Sequence, residues 1–160
     1  MKDKKNILII VLIAVVLILL ILVVYKYSTK LEVITPKEFT KEFTGMGYKV
    51  VDKTKEEASD QKSVKKLLIA ASANYQIEYY QFDNNKNTLY AYLNSEKYFD
   101  TNRGKNAKDD LIQKDNYAKY QITSDSDYNV VVRLKNTLIY ASVAKKYKND
   151  IVKALKEINY

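Results

Sequence analysis

The sequence predicts an N-terminal transmembrane helix followed by one α+β domain, in which an antiparallel sheet carries helices on one face. An uninterrupted apolar run extends from Ile7 to Val24. After it, segments with apolar residues at every second position alternate with segments in which they recur every three or four positions, the periods of strands and helices. The 160 residues leave room for a single domain after the run. Helices grouped on one face of an antiparallel sheet are typical of α+β proteins.

The apolar run is long enough to cross a membrane. At ~1.5 Å per residue it makes a helix of about 27 Å, close to the ~30 Å hydrocarbon core of a bilayer. A cleaved signal peptide has a shorter apolar segment followed by small residues, whereas Tyr25-Lys26-Tyr27-Ser28 follow here. The sequence therefore predicts an uncleaved anchor over residues 7–25 that spans the lipid bilayer.

Basic and aromatic residues flank the predicted anchor. Lys and Arg are concentrated on the cytoplasmic side of membrane spans, and tyrosines favour the membrane–water interface. The residues expected at the two interfaces are Lys4, Lys5, Tyr25, Lys26 and Tyr27. With the α-amino group counted, the basic groups on the two sides of the span are equal in number, but those at the N-terminus are packed more closely beside it. We therefore expect a cytoplasmic tail of residues 1–6, a linker of residues 26–34 and an extracytoplasmic domain of residues 35–160. The expected location is the cell membrane, crossed once with the N-terminus inside.

The first helix of the domain is predicted by its two ends. Thr35-Pro36-Lys37-Glu38 is a capping box with proline at the first helical position. The apolar residues that follow on one helical face are Phe39, Phe43 and Met46. Gly45 and Gly47 are expected to end this helix, because glycine tolerates the left-handed backbone found there.

The next segments predict strands. Tyr48–Asp52 is a short strand, and the charged segment Lys53–Lys62 is a solvated loop or a frayed helical turn. Val64–Ala73 and Tyr75–Phe82 are rich in β-branched, small and aromatic residues. Asn74 between them suits a turn.

A longer helix is predicted after these strands. Asp83 or Asn84 can cap it, and it extends to about Asn102. The residues expected on its buried side are Leu89, Tyr92, Leu93 and Phe99. The polar segment Arg103–Asp115 is predicted to be a loop and the most mobile part of the domain.

Three strands and a final helix complete the predicted domain. The strands are Tyr117–Thr123, Tyr128–Lys135 and Thr137–Ala144. The apolar residues at helical spacing in the last segment are Tyr147, Ile151, Leu155 and Ile158. Asn149-Asp150 can cap this helix late, so its start is open by one turn. The predicted order is α-β-β-β-α-β-β-β-α.

The composition argues against catalysis. The chain has no histidine and no cysteine, and only three glycines, so the usual general base, nucleophile pairs, zinc ligands and phosphate loops are missing. A Ser–Lys pair, Ser63 or Ser72 with Lys65 or Lys66, is the remaining alternative, and nothing places either serine at a strained turn. We therefore predict a protein that is not an enzyme and has no catalytic residue, metal or cofactor.

Tyrosine is the unusual residue, with 15 copies. Tyrosines offer wide amphipathic contact area at low entropic cost, although they are also ordinary strand and core residues. If one face of the sheet is uncovered, some must point outward. The tyrosines predicted to form a ligand or partner surface are Tyr75, Tyr79, Tyr117 and Tyr140.

The chain resembles a loose group of uncharacterised single-pass bacterial membrane proteins. The segments that carry the resemblance are Thr35-Pro36-Lys37-Glu38-Phe39, Gly47-Tyr48-Lys49-Val50-Val51-Asp52, Asn136-Thr137-Leu138-Ile139-Tyr140 and Ile158-Asn159-Tyr160. The resemblance implies a small extracytoplasmic α+β domain and no activity. A glycine would suit the position of Asn159, and asparagine is the next best helix stop.

Taken together, these features predict a membrane-anchored, non-catalytic binding module. The net charge is +8, of which +6 lies beyond Val24; it either favours an envelope protein or an anionic wall polymer as partner or serves only solubility. Nucleic acid is not expected, because the basic residues form no block and no RNA-binding motif occurs. The alternatives are an assembly component of a membrane-spanning secretion or conjugation machine, or a membrane protein that confers immunity to a toxin.

Overall fold

The computed structural model of the protein describes residues 15–19 and 31–160. Residues 15–19 are helical, and Glu32–Tyr160 form a compact unit of their own. Within the described residues, no helix is long and apolar enough to cross a membrane. Most of the predicted anchor 7–25 lies outside the described residues. So do the residues expected at the interfaces, Lys4, Lys5, Tyr25, Lys26 and Tyr27.

The domain has the predicted α+β fold, built on one seven-stranded antiparallel sheet. The strands are β1 (Lys49–Asp52), β2 (Val64–Ala71), β3 (Gln76–Phe82), β4 (Lys108–Lys114), β5 (Tyr117–Thr123), β6 (Asp127–Leu134) and β7 (Thr137–Ala144). The helices are α1 (Pro36–Gly45), α2 (Thr54–Glu57), α3 (Asn85–Thr101) and α4 (Lys148–Glu157). A 3₁₀ turn, Lys145–Tyr147, leads into α4.

Two meanders form the sheet. The strand order is β1-β2-β3-β7-β6-β5-β4, so that β1 to β3 make one meander and β4 to β7 the other. Antiparallel pairing of β3 with β7 joins them and places Tyr79 opposite Ile139 and Glu78 opposite Tyr140. The two edges of the sheet are therefore β1 and β4.

The prediction of a loop over Arg103–Asp115 is wrong, because Lys108–Lys114 forms strand β4. Every residue of β4 is exposed, so the strand has no buried face and its sequence shows no alternation of apolar and polar residues. What makes it a strand is its ladder with β5, which runs from Lys108 opposite Thr123 to Lys114 opposite Tyr117.

The prediction that the helices share one face of the sheet is also wrong. The ring of Phe39 on α1 lies 4.9 Å from that of Tyr79, centroid to centroid, and Ile139 pairs opposite Tyr79 on the same face. Tyr140 is the next residue on β7, so it points to the other face. There it stacks on Phe99 of α3, with ring centroids 5.2 Å apart.

We call the face under α1 the first face and the face under α3 the second face. The C-terminal end of α4 also lies on the first face. There the hydroxyl of Tyr160 lies 2.6 Å from that of Thr137, two residues before Ile139 on β7. Because the Thr137 hydroxyl also donates to the Leu134 carbonyl, at 2.8 Å, it accepts from Tyr160. Helices thus cover both faces of the central strands.

α1 and α4 end in the same way. Gly47 after α1 has φ 89° and Asn159 after α4 has φ 59°, both left-handed. In each case the next residue donates its N–H to the carbonyl five positions earlier, at 3.0 and 2.8 Å, which closes the helix.

The capping box of Thr35 with Glu38 is confirmed. α4 begins at Lys148 without a side-chain cap, so the cap expected at Asn149-Asp150 is wrong.

α3 begins as predicted, with the side chain of Asn84 accepting from the N–H of Asn87 at 2.9 Å. Tyr92 and Phe99 are buried, whereas Leu89 and Leu93 are 37% and 48% exposed, contrary to the prediction. Its buried side instead includes Thr88, and the small residues Ala91 and Ser95 lie partly buried beside the sheet. The second face packs around a cluster that includes Leu67, Ile69, Phe82, Tyr120, Val131 and Leu138.

The hydrogen bond of the Tyr79 hydroxyl provides a test of how the core of the first face is packed. Tyr79 is fully buried, and its hydroxyl donates to the carbonyl of Ile34 at 2.9 Å. Tyr79→Phe leaves that buried acceptor without its donor, which costs about 1–3 kcal/mol. We expect urea denaturation to show a loss in the free energy of unfolding in this range.

Tyr90→Phe is the matched control, because Tyr90 is 54% exposed on α3. Its effect should be close to zero. Equal stabilities for the two variants would contradict the role given to the buried hydroxyl.

Candidate binding site

The four tyrosines predicted to form a surface do not come together. Tyr79 is fully buried in the core of the first face, so its prediction as a surface residue is wrong. Tyr140 is half-buried under α3 on the second face, and Tyr117 is half-buried at the start of β5 on the first. Tyr75 alone lines a cleft on the first face. The prediction assumed an uncovered sheet face, and the central strands have none.

The cleft at Tyr75 lies between the end of α1, the β2–β3 turn and α4. Its volume is about 320 Å³, within the range of small-molecule and side-chain pockets. It is lined by Met46, Gly47, Tyr48, Ser72, Tyr75, Asp150, Lys153 and Ala154. We call it the tyrosine cleft.

Local backbone features set the two tyrosines in place. The left-handed Gly47 ends α1 and directs the chain into β1 immediately after Tyr48. On the other side, the Ser72 hydroxyl accepts from the N–H groups of Asn74 and Tyr75, both at 3.3 Å. The Ser72 N–H in turn donates to the Tyr75 carbonyl at 2.9 Å. These bonds fix the turn from which Tyr75 projects.

A row of aromatic rings supports the cleft. Ring centroids are 5.2 Å apart for Phe43 and Tyr48, 6.1 Å for Tyr48 and Tyr75, and 4.9 Å for Tyr75 and Tyr147. Lys146 lies over the Tyr147 ring, with its Nζ 4.8 Å from the centroid. Edge-to-face and tilted contacts of this kind hold aromatic side chains in defined positions. The walls of the cleft are therefore largely preformed.

The two phenols of the cleft contact each other through their hydroxyls, 3.0 Å apart. Burial, followed by the hydrogen bond to Tyr75, raises the pKa of Tyr48. One proton is used in the mutual hydrogen bond, which leaves the other hydroxyl proton for a ligand. Asp150 and Lys153 line the same cleft and form no ion pair within the described residues.

Two further clefts are less suited to binding. One of about 420 Å³ on the second face includes Tyr80 and Tyr140, but the Tyr80 hydroxyl already donates to Glu78 at 2.6 Å. Another, of about 510 Å³, lies at the junction of β4 and β5. No aromatic side chain of the described residues lines it, and Asn106 there is bonded to Asp125 at 2.9 Å.

The residues considered for catalysis or metal binding are not assembled into a site. In the described ranges no hydrogen bond joins Ser63 or Ser72 to Lys65 or Lys66, and Lys66 is paired with Asp52 at 2.7 Å. Residues 15–19 and 31–160 contain no group of three acidic side chains that could hold a metal ion.

Comparisons with protein-family models, with curated proteins and with solved structures find no match. Sequence reasoning identified Tyr75 but missed its partner Tyr48, which was assigned to a strand. The available signal was Gly47, because a left-handed glycine that ends a helix places the next side chain close to the helix end. Asp150 and Lys153 were not predicted, because the packing of α4 against the end of α1 and the β2–β3 turn joins segments far apart in the chain.

Tyrosine ionisation tests the burial of these phenols. Burial raises the pKa of Tyr48. It also raises the pKa of Tyr128 and of Tyr140, in each case to about 12. Phenols of an unfolded chain ionise at pH ~10. A folded-state pKa above the unfolded value contributes stability that is present below pH ~10 and lost as the pH rises toward the folded value. The free energy of unfolding should therefore fall above pH ~10.

The chain has no tryptophan, so phenolate absorbance can be followed without interference. At pH ~11, between the unfolded and folded values, the native protein should show fewer phenolates than the protein in urea. Coincident titration curves in the two states would contradict the assigned burial.

Proposed function

We propose that the protein is a single-pass membrane protein whose α+β domain, residues 35–160, acts outside the cell as a non-catalytic binding module. The apolar run of residues 7–25 supports the anchor. Residues 15–19 within it are helical, the conformation in which a membrane span satisfies its own backbone groups. The lysines before the run favour the N-terminus inside.

The observation that carries the binding function is the tyrosine cleft. It combines two phenols with one uncommitted hydroxyl proton, a lysine and a carboxylate on a preformed aromatic support. Tyr rings and a cation suit a ligand that has an apolar surface and an anionic group. Residues 26–160 carry a net charge of +6, which would attract such a ligand over distance. The partner proposed is an envelope protein or an anionic wall polymer.

Protease treatment of intact cells tests the orientation. The full chain carries a C-terminal tag, and we expect external protease to remove it while the N-terminus stays protected. A tag that is cleaved only after lysis would place the domain in the cytoplasm and overturn the proposal.

Retention on purified cell-wall material and on envelope proteins tests the cleft. Detergent-solubilised full-length protein should bind in a salt-sensitive manner, because part of the attraction is between opposite charges. Tyr75→Ala should weaken binding about tenfold or more, as for an aromatic residue at the centre of an interface. Lys153→Gln should weaken binding and reduce its salt dependence.

Tyr90→Ala, on the exposed side of α3, is the matched control and should bind normally. Tyr48→Phe and Tyr75→Phe keep the rings and remove only a hydroxyl, which separates loss of binding from loss of folding. Unchanged binding in all cleft variants would exclude the tyrosine cleft as the site.

A further inference from the structure

The β4 edge of the sheet is open along its whole length. All seven residues of β4 are exposed, including Leu111 at 48% and Ile112 at 41%. Among the described residues, the backbone of β4 bonds only to β5. An edge strand of this length presents about 24 Å of unpaired N–H and C=O groups, which is a template for another strand.

The other edge, β1, is less suited to pairing. It has four residues, and its last residue, Asp52, is held by the Lys66 ammonium at 2.7 Å and the Thr54 hydroxyl at 2.6 Å. A contact between β1 of one copy and β4 of the next would also be head-to-tail, which gives rings or open filaments rather than a dimer. Pairing of β4 with β4 is closed by a two-fold axis and stops at two copies.

The sequence of β4 matches itself in one antiparallel register. A two-fold axis normal to the sheet leaves each residue of the second copy on the same face as in the first. Residues directly opposite each other also share a face, and faces alternate along a strand. The sequence numbers of two opposite residues must therefore differ by an even number. When the axis passes midway between the two Ile112 residues, Ile112 lies opposite Ile112. Asp110 of each copy then lies opposite Lys114 of the other. Leu111 then lies opposite Gln113. Two ion pairs flank one apolar pair, each a favourable cross-strand combination.

Neighbouring registers are less favourable. An axis through Leu111 places Lys108 opposite Lys114, and one through Asp110 places that carboxylate opposite itself; like charges in these positions are destabilising. The register centred on Ile112 has two such pairs, because Asp109 of each copy lies opposite Asp115 of the other, one pair at each end. There Arg103 already forms an ion pair with Asp109.

We propose that β4 pairs with β4 of a second copy in the register centred on Ile112, which continues the seven-stranded sheet through a two-fold axis. One oxygen of Asp110 accepts from Gln121 Nε2 at 3.0 Å, and the other is open to Lys114 of the second copy. Attachment of both copies to one membrane would raise their effective concentration. The pairing itself does not depend on the anchor or on the tyrosine cleft.

Cysteine crosslinking tests the register, because the chain has no cysteine of its own. In the full-length protein, Ile112→Cys places two thiols directly opposite, where Cβ atoms are ~4.5–5.5 Å apart and close to disulfide distance. We expect rapid disulfide dimers under mild oxidation. Val152→Cys is the control, since Val152 is 39% exposed on α4, and it should form several-fold fewer. Mixed Leu111→Cys and Gln113→Cys copies should crosslink better than Leu111→Cys alone.

A charge exchange tests the two ion pairs. Asp110→Lys and Lys114→Asp should each reduce the dimer fraction in sedimentation and in crosslinking, because each places like charges opposite one another. The double variant restores opposite charges and should recover the dimer. Loss of folding cannot produce that recovery.

Three results would overturn the proposal. They are a monomeric full-length protein with no excess crosslinking at Ile112, equal crosslinking at Ile112 and Val152, and a double variant no better than the single ones. A crosslink from Ile112→Cys to a protein of different mass in place of the dimer would also overturn it, in favour of another partner at the same edge.

Discussion

The central strands of the sheet must be covered on both faces, and the rest of the domain follows from that requirement. Val130, Val131 and Val132 on β6 are all fully buried, although neighbouring side chains on a strand point to opposite faces. Apolar surface on both faces is hidden only if helices lie on both. α1 and α4 cover one face and α3 the other. α1, α3 and α4 cannot also cover the edge strands of a seven-stranded sheet. The surfaces proposed for binding therefore lie at the limits of the helical layers.

Two kinds of surface result at those limits. Between α1 and α4 the cover is incomplete, and tyrosines line the gap. At the far end, no helix among residues 31–160 lies over β4, so that backbone groups as well as side chains are accessible. A cleft recognises a ligand by its shape and charge, whereas an edge strand recognises another strand by its backbone. The two proposed surfaces therefore call for partners of different chemistry.

Local signals predicted much of the fold, and long-range packing accounts for the errors. The capping box at Thr35 and the cap at Asn84 depend on neighbours in sequence and were predicted correctly. The alternation of β5 has the same local origin. β4 was missed because an exposed strand leaves no periodic signal. Tyr79 was predicted to be exposed because nothing in the sequence shows that α1 lies over it. Of the cleft, only Tyr75 was predicted, since the cleft joins segments far apart in the chain.

The place of β7 in the sheet also orders events during synthesis. β7 is the last strand along the chain, yet it lies between β3 and β6. Until it has been made, the first meander ends at an unpaired β3 and the second has no partner for β6. Contacts between segments so distant in sequence form slowly. The finished sheet can therefore become continuous only after its last strand has been made.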